Sequence, residues 1–227
     1  SRHPLTIPVM PLMALLCAVT SVIIALNLFR RLPIDKVFLL SMLTFGITYT
    51  FMFPPASVPD EPTHFFSAYY LSNFLCCPRL QWGVQEIIFR DTDYAVIERH
   101  FHTFVSLKNL NYVVQNFRWI DQSQGYIAAS CNDALSVSPL GYVVPALAIT
   151  LGRTLRLGFY PVFYLGRLSN VIFYSVVVSA AIRRVPFGKA VMFVLSFFPT
   201  VLHLTGSYSY DGNTLSVTLL LLANCLY

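Results

Sequence analysis

The stretch VFLLSMLTFGITYTFMF, residues 37–53, followed at once by PPASVPDEPTHFF, residues 54–66, decides what kind of molecule this is. Its first part runs for 17 residues without a charge, near the lower limit for crossing a hydrocarbon core of ~30 Å. Pro54 and Pro55 then end the run, because proline lacks the amide donor and biases its predecessor away from helical geometry. Beyond them, Asp60 and Glu61 stand between Pro59 and Pro62. Proline is well tolerated in a first helical turn, and a helix N-terminus favours acids, so a helix is expected to start here with Asp60 or Glu61 as its N-cap.

Outward from this point the same alternation continues. Upstream, residues 7–29 form an apolar run that reads as a spanning helix. A signal peptide is the rival reading, but the run lacks the usual basic n-region and an A-x-A site. Arg30, Arg31 and Lys36 follow it. Downstream of Pro55 the chain stays mixed and polar to about residue 137. Residues 138–152 are apolar but broken by Pro139, Gly141 and Pro145. Residues 160–182 form a clear span with one charge, Arg167, and Arg183, Arg184 and Lys189 follow. Residues 190–206 read as a further span. Asn213 opens a last apolar run of 15 residues, short for a crossing, which suggests a piece of a longer multi-pass chain.

Composition agrees. Of 227 residues 56% are hydrophobic and 11% charged, whereas soluble domains carry about 25% charged residues. The net charge of +5 sits in short clusters beside apolar runs, which indicates topology and no nucleic-acid partner. The expected fold is an all-α integral membrane protein, a polytopic helical bundle in a lipid bilayer. Residues 1–36 would be an additional N-terminal helix with a cytoplasmic basic turn. Residues 37–227 would be the main membrane module, with a large extracytoplasmic loop over about 54–159 that contains interfacial helices. If 138–152 crossed the membrane, Arg183, Arg184 and Lys189 would lie on the side opposite Arg30, Arg31 and Lys36. If it lies in the interface instead, both basic clusters share the cytoplasmic side. The second arrangement is the expected one.

Within the loop, residues 63–75 read as a helix crowded with aromatics. Residues 82–89 have strand character, and 94–107 have a helical pattern with Glu98, Arg99 and His102 on the polar face. Cys17 and Cys225 lie in apolar runs, as packing residues do. Cys76 or Cys77 can pair with Cys131 if the loop faces an oxidising compartment. No P-loop, G-x-G-x-x-G, G-x-S-x-G or zinc-type cysteine spacing occurs.

The chemistry-bearing candidates are few. Asp60 and Glu61 are two carboxylates in a rigid proline frame at the membrane surface. Each is either a helix cap or a group able to act as a general base or to bind a divalent cation. His64 lies one turn on, and is either an ordinary interfacial histidine or a hydrogen-bond donor to a phosphate or a proton carrier. Arg167 is an ion inside a span, where charge is costly and marks function or snorkelling. Tyr210 and Asp211 bring another acid before the last apolar run, as a cap or as part of the same surface. The pair His100 and His102 shares a face only in an extended segment, against its helical pattern.

The run Phe53-Pro-Pro-Ala-Ser-Val-Pro-Asp-Glu-Pro-Thr-His-Phe-Phe66, with Ala68-Tyr69, resembles the opening signature of a bacterial membrane family, domain of unknown function 2142. Ser138-Pro-Leu-Gly-Tyr142, Gly166-Arg-Leu-Ser-Asn170 and Ser207-Tyr-Ser-Tyr-Asp-Gly212 resemble its later motifs, in order, over about residues 37–227. The resemblance implies a GT-C glycosyltransferase in the bacterial plasma membrane, taking a sugar from a polyprenyl-phosphate donor to an envelope acceptor on the outer face. It implies an essential acid just after a spanning helix, best matched by Asp60 with Glu61 beside it, and places interfacial helices in the first loop. Arg167 would then face the leaving phosphate, and His64, Tyr210 and Asp211 the substrate. A non-catalytic subunit or scaffold of envelope-polysaccharide assembly is the alternative. A transporter fits less well, because transporters hold ionisable groups at the midplane of broken helices.

Overall fold

The computed structural model describes residues 32–76, 86–100, 107–130 and 138–227. The 7–29 run, Arg30, Arg31, Cys17, Cys77, Cys131 and His102 lie outside these residues. Cys76 stands as a free thiol; both disulfide alternatives involve Cys131, which lies outside the described residues.

The described chain is mostly helical. Helix α1 is Ile34–Met52, entered through Pro33 and left through Phe53, whose φ −100° and ψ 124° are the extended geometry that a following proline imposes. Helix α2 is Glu61–Cys76, strand β1 Glu86–Arg90, helix α3 Asp91–His100, helix α4 Leu107–Gln115 and strand β2 Tyr126–Ser130. A 3-10 turn, Pro139–Tyr142, leads into α5, Val143–Thr154. Then come α6, Phe159–Arg184, α7, Lys189–Ser196, α8, Pro199–Thr205, and α9, Asp211–Leu226. The expected span 190–206 is thus two short helices. The break falls at Phe198–Pro199, where Phe198 turns extended at ψ 144° before the proline. The carbonyl of Ser196 that the break exposes accepts from Tyr174 Oη at 3.0 Å. Strand β2, absent from the sequence reading, pairs antiparallel with β1, Glu86 opposite Ser130 and Arg90 opposite Tyr126.

Among the described residues two helices, α1 and α6, are long and apolar enough to cross a membrane. They run antiparallel. Ser179 Oγ donates to the Asp35 carbonyl at one end, and Arg167 donates to the Thr50 and Phe53 carbonyls at the other. Lys36, Arg183 and Arg184 therefore share one end, and Lys189 joins them through its bond to the Arg183 carbonyl. Around this end Phe38, Met42, Tyr174, Val178, Ile182 and Leu202 close a core, with Phe38 edge-on to Phe193 at 5.3 Å between centroids. The outward faces keep Leu40, Ile47, Ile172, Val176, Val217 and Leu221 exposed, the arrangement expected where lipid is the solvent.

Helix α6 is 26 residues long and outruns α1 by the turns before Arg167. Against that overhang α5 folds back. Gly152 sits against Val162 and Leu165, while Gly141, before α5, meets Tyr210 at the other end. Residues 138–152 thus double back beside the turns of α6 that precede Arg167. The exposed stripe Val143, Leu147, Leu151 and Leu155 gives α5 an apolar outer face. Helix α2 packs on the same overhang through Phe65, which touches Phe159, Phe163 and Tyr208.

Candidate functional site

The site begins where α1 ends. The burial of α2 follows a helical stripe: Glu61, Phe65, Ala68, Tyr69 and Ser72 are all fully buried. Glu61 is thus carried inward by the same face that anchors the aromatics. It meets Arg167, which is also fully buried. Arg167 Nε donates to Glu61 Oε1 at 2.7 Å and Nη2 to Oε2 at 2.5 Å. The remaining donors reach main-chain carbonyls: Nη1 those of Thr50 (2.9 Å) and Phe53 (2.6 Å), and Nη2 that of Pro54 (3.1 Å). All five guanidinium N–H groups are therefore used. Two of their acceptors, Thr50 and Phe53, are carbonyls that the end of α1 would otherwise leave open. The Ala56 amide closes the ring by donating to Glu61 Oε2 at 3.1 Å. Two non-glycine residues of this loop, Ala56 at φ 62° and Asp60 at φ 58°, adopt the left-handed region. Each such residue costs of order 1–3 kcal/mol and persists only where its surroundings fix it; here the ion pair does so.

This geometry separates the two adjacent acids. Glu61 is spent on Arg167, and Arg167 has no N–H left for a phosphate. Asp60 stays exposed immediately before the helix. Its left-handed backbone also departs from the extended conformation of an ordinary N-cap.

Above the ion pair lies a second layer. His64 is half-buried, and its Nδ1 is 2.7 Å from Tyr142 Oη. Tyr210 stands edge-on to His64 at 5.5 Å and to Tyr142 at 5.7 Å. Asp211, exposed, opens α9, with its carboxylate accepting from Ser209 Oγ at 3.0 Å. Asp60 and Asp211 both act electrostatically on His64. Burial nevertheless holds the imidazole below its usual value of 6.5, against the pull of Asp211, Asp60 and Glu61. Burial pushes the Tyr142 phenol up to about 12, so it remains protonated at neutral pH.

A group with a depressed folded-state value binds its proton more readily in the unfolded chain. Stability should therefore fall as pH drops below about 6.5, and His64→Gln should flatten that slope. Thermal unfolding of the two proteins between about pH 5 and 7.5 measures it. Parallel profiles would show that His64 contributes nothing to the acid limb.

Four stretches far apart in sequence meet here. Gly166 lies against Tyr208, whose hydroxyl donates to the Phe163 carbonyl at 2.9 Å. Gly141 lies against Tyr210. Asn170 Nδ2 donates to the Ser207 carbonyl at 2.9 Å, and Asn213 Nδ2 to Asn170 Oδ1 at 3.0 Å. Of the expected site residues, Asp60, His64, Tyr210 and Asp211 thus share one surface, with Glu61 and Arg167 sealed beneath. Tyr142, Asn170 and Asn213 were not among the candidates; their signal was the presence of polar or aromatic side chains inside otherwise small or apolar motifs.

A third polar cluster lies further along α2. Arg90 makes an ion pair with Asp93 through Nε at 2.8 Å and donates to it again through Nη2 at 3.0 Å. Tyr69 Oη donates to the same Asp93 at 2.7 Å. Burial and the neighbouring Asp93 push the Tyr69 phenol far up. Among the described residues no group of three or more His, Cys, Asp or Glu side chains is placed to hold a metal.

Two candidate spans, a lipid-facing apolar exterior and a polar helical cap at one end define a helical membrane protein. The chain belongs to the family of predicted membrane proteins described as domain of unknown function 2142, which matches residues 43–227. No curated protein and no solved structure matches it.

Proposed function

We propose that this chain works as a membrane-embedded glycosyltransferase, with its reactive surface at the end opposite the basic clusters. One observation carries the reading: distant motifs converge so that Asp60 and Asp211 both lie close enough to His64, itself bonded to Tyr142, to act on its charge. In this reading the basic end is cytoplasmic and the reactive end faces outward from the bacterial plasma membrane. The donor is a polyprenyl-phosphate sugar. An acceptor hydroxyl attacks the anomeric carbon and its proton passes to the Asp60 carboxylate, while the sugar–oxygen bond breaks and the lipid phosphate leaves with the electron pair. Asp211 orients the acceptor, and His64, neutral at pH 7, shares a hydrogen bond with Tyr142 that fixes its ring. Glu61 and Arg167 hold the loop that presents Asp60.

Asp60→Asn in the full-length protein is expected to lower sugar transfer from a polyprenyl-phosphate donor by about 10²–10⁴-fold, the usual contribution of a positioned general base. Because Asp60 is exposed and outside the ion pair, folding should be unaffected. Unchanged turnover would remove Asp60 from the chemistry. Orientation has its own test. In a cysteine-free background, Thr154→Cys should react with an impermeant thiol reagent added outside the cell; labelling only from the cytoplasmic side would reverse the assignment.

The non-catalytic reading, a subunit of envelope-polysaccharide assembly, is favoured by a different observation. A large polar cavity of 510 Å³ is lined by Leu75 and Cys76, at the end of α2 remote from Asp60.

A further inference from the structure

We infer that the 510 Å³ cavity at the far end of α2 binds a phosphate group. Its volume falls in the range of small-molecule sites, about 300–1,000 Å³. Three arginines line it, Arg90, Arg153 and Arg156, against one acid, Asp121. Ser123 and Tyr126 add hydroxyls.

The charges are not equivalent. Arg90 is consumed: it binds Asp93, the Leu157 carbonyl at 2.7 Å and Asp121 at 3.0 Å. Asp121 is consumed as well, because its carboxylate also accepts from Ser123 N at 3.0 Å, Ser123 Oγ at 2.5 Å and Thr92 Oγ1 at 3.0 Å. Arg153 and Arg156 have no acidic partner among the described residues. Even with Asp93 counted behind Arg90, three guanidiniums face two carboxylates.

Arg153 is also pre-set. Nη1 donates to Ser72 Oγ at 2.7 Å and to Asn73 Oδ1 at 2.8 Å, and the guanidinium lies over the Tyr69 ring at 4.5 Å. These partners are neutral, so they fix the side chain without cancelling its charge. The backbone at Arg156 is pinned too, at φ 54°, with its carbonyl accepting from the Asp121 amide at 2.7 Å. One fixed guanidinium, Arg153, and a second, Arg156, on a pinned backbone line the same concave polar wall and suit a phosphate, whose several oxygens can take forked N–H donors from both. A flat patch of surface lysines would offer neither depth nor geometry.

The site is independent of the transfer reading. Helix α2 has 16 residues, so the cavity lies about 24 Å along it from Asp60. The apolar stripe of α5, through Leu147, Leu151 and Leu155, leads towards Arg153 and Arg156. A lipid headgroup and a soluble phosphate compound can therefore both supply the group.

Binding to the full-length protein in neutral detergent separates the two sources. One arm titrates inorganic phosphate and pyrophosphate by calorimetry. The other adds phosphatidylglycerol, with phosphatidylcholine as the uncharged control, and counts retained lipid by native mass spectrometry. Saturable binding is expected in at least one arm, weakened about tenfold or more by Arg156→Gln and by Arg153→Gln, as for loss of a charge-assisted contact. Arg184→Gln, at the opposite end, should leave it unchanged. Binding in the first arm assigns a soluble phosphate, and binding in the second alone assigns a headgroup. Because Arg153 also packs on Tyr69, Arg156→Gln decides, its side chain being exposed. No saturable binding in either arm, or binding that Arg156→Gln leaves intact, would overturn the inference.

Discussion

Arg167→Leu is expected to abolish folded protein. Removing one partner of a buried ion pair typically costs about 3–5 kcal/mol. Here the loss also strands the Thr50, Phe53 and Pro54 carbonyls and leaves the Glu61 carboxyl without its partner in a closed site. An unsatisfied buried acceptor adds roughly 1–3 kcal/mol. The sum approaches the whole stability of an ordinary domain, about 5–15 kcal/mol. Glu61→Gln should be milder, since an amide keeps one acceptor for Arg167. The informative variant is the double change Arg167→Leu with Glu61→Leu. If the pair were only an electrostatic unit, replacing both charges by apolar groups would restore much of the stability. Because three of the five donors go to main-chain carbonyls, the double variant should remain unstable. Size-exclusion profiles and thermal unfolding in detergent give the comparison; recovery to near the parent Tm would show that the backbone bonds contribute little.

Gly166→Ala carries the second large effect. A Cβ at position 166 would stand 2.0 Å from Tyr208 Oη and 2.6 Å from its Cζ. Tyr208 is fully buried among Phe65 and Phe163, so its ring has nowhere to retreat. Overpacking of this kind costs about 1–3 kcal/mol. Displacing the ring also breaks the bond from its hydroxyl to the Phe163 carbonyl, a further ~1 kcal/mol or more. Position 166 immediately precedes the clamping arginine, so the shift should carry into the Asp60 loop and lower any transfer activity as well. Tyr208→Phe in the Gly166→Ala background removes the nearest clashing atom, and the two changes should combine to less than their sum. A Gly166→Ala protein whose Tm equals the parent's would mean that the ring moves freely.

The gross organisation was legible because lipid imposes simple rules. An uncharged run of sufficient length is a helix, proline ends it, and basic residues gather at one end; α1, α6 and the shared end of Lys36, Arg183 and Arg184 all follow. That 138–152 is too short and too broken by proline and glycine for an ordinary span could also be read, and the structure makes it a 3-10 turn and a 12-residue helix. Three things were hidden. Strand β2 is Tyr-Ile-Ala-Ala-Ser, mostly exposed, and only its pairing with β1 makes it a strand. The break at Pro199 was written in the sequence but outweighed by the apolar run around it. The destination of Arg167 was hidden by distance, because Glu61 is 106 residues away. Which of two neighbouring acids turns inward is a question of helical phase. Glu61 lies on the stripe shared with Phe65, Ala68 and Ser72, and Asp60 precedes it. That periodicity is present in the sequence, but α2 is so crowded with aromatics on every side that its buried stripe does not stand out from composition.

The Arg167 clamp also sets an order of events during synthesis. Glu61 leaves the ribosome more than a hundred residues before its partner and can wait in water at the membrane surface, where a lone carboxylate is harmless. Arg167 arrives later inside an apolar helix, where a lone guanidinium is expensive. The nascent α6 is therefore accepted into the bilayer most readily once α1 and the proline loop already stand beside it, offering three carbonyls and a carboxylate. Insertion of α6 becomes conditional on correct delivery of α1, so a chain that misplaces α1 meets its quality control at the moment Arg167 emerges.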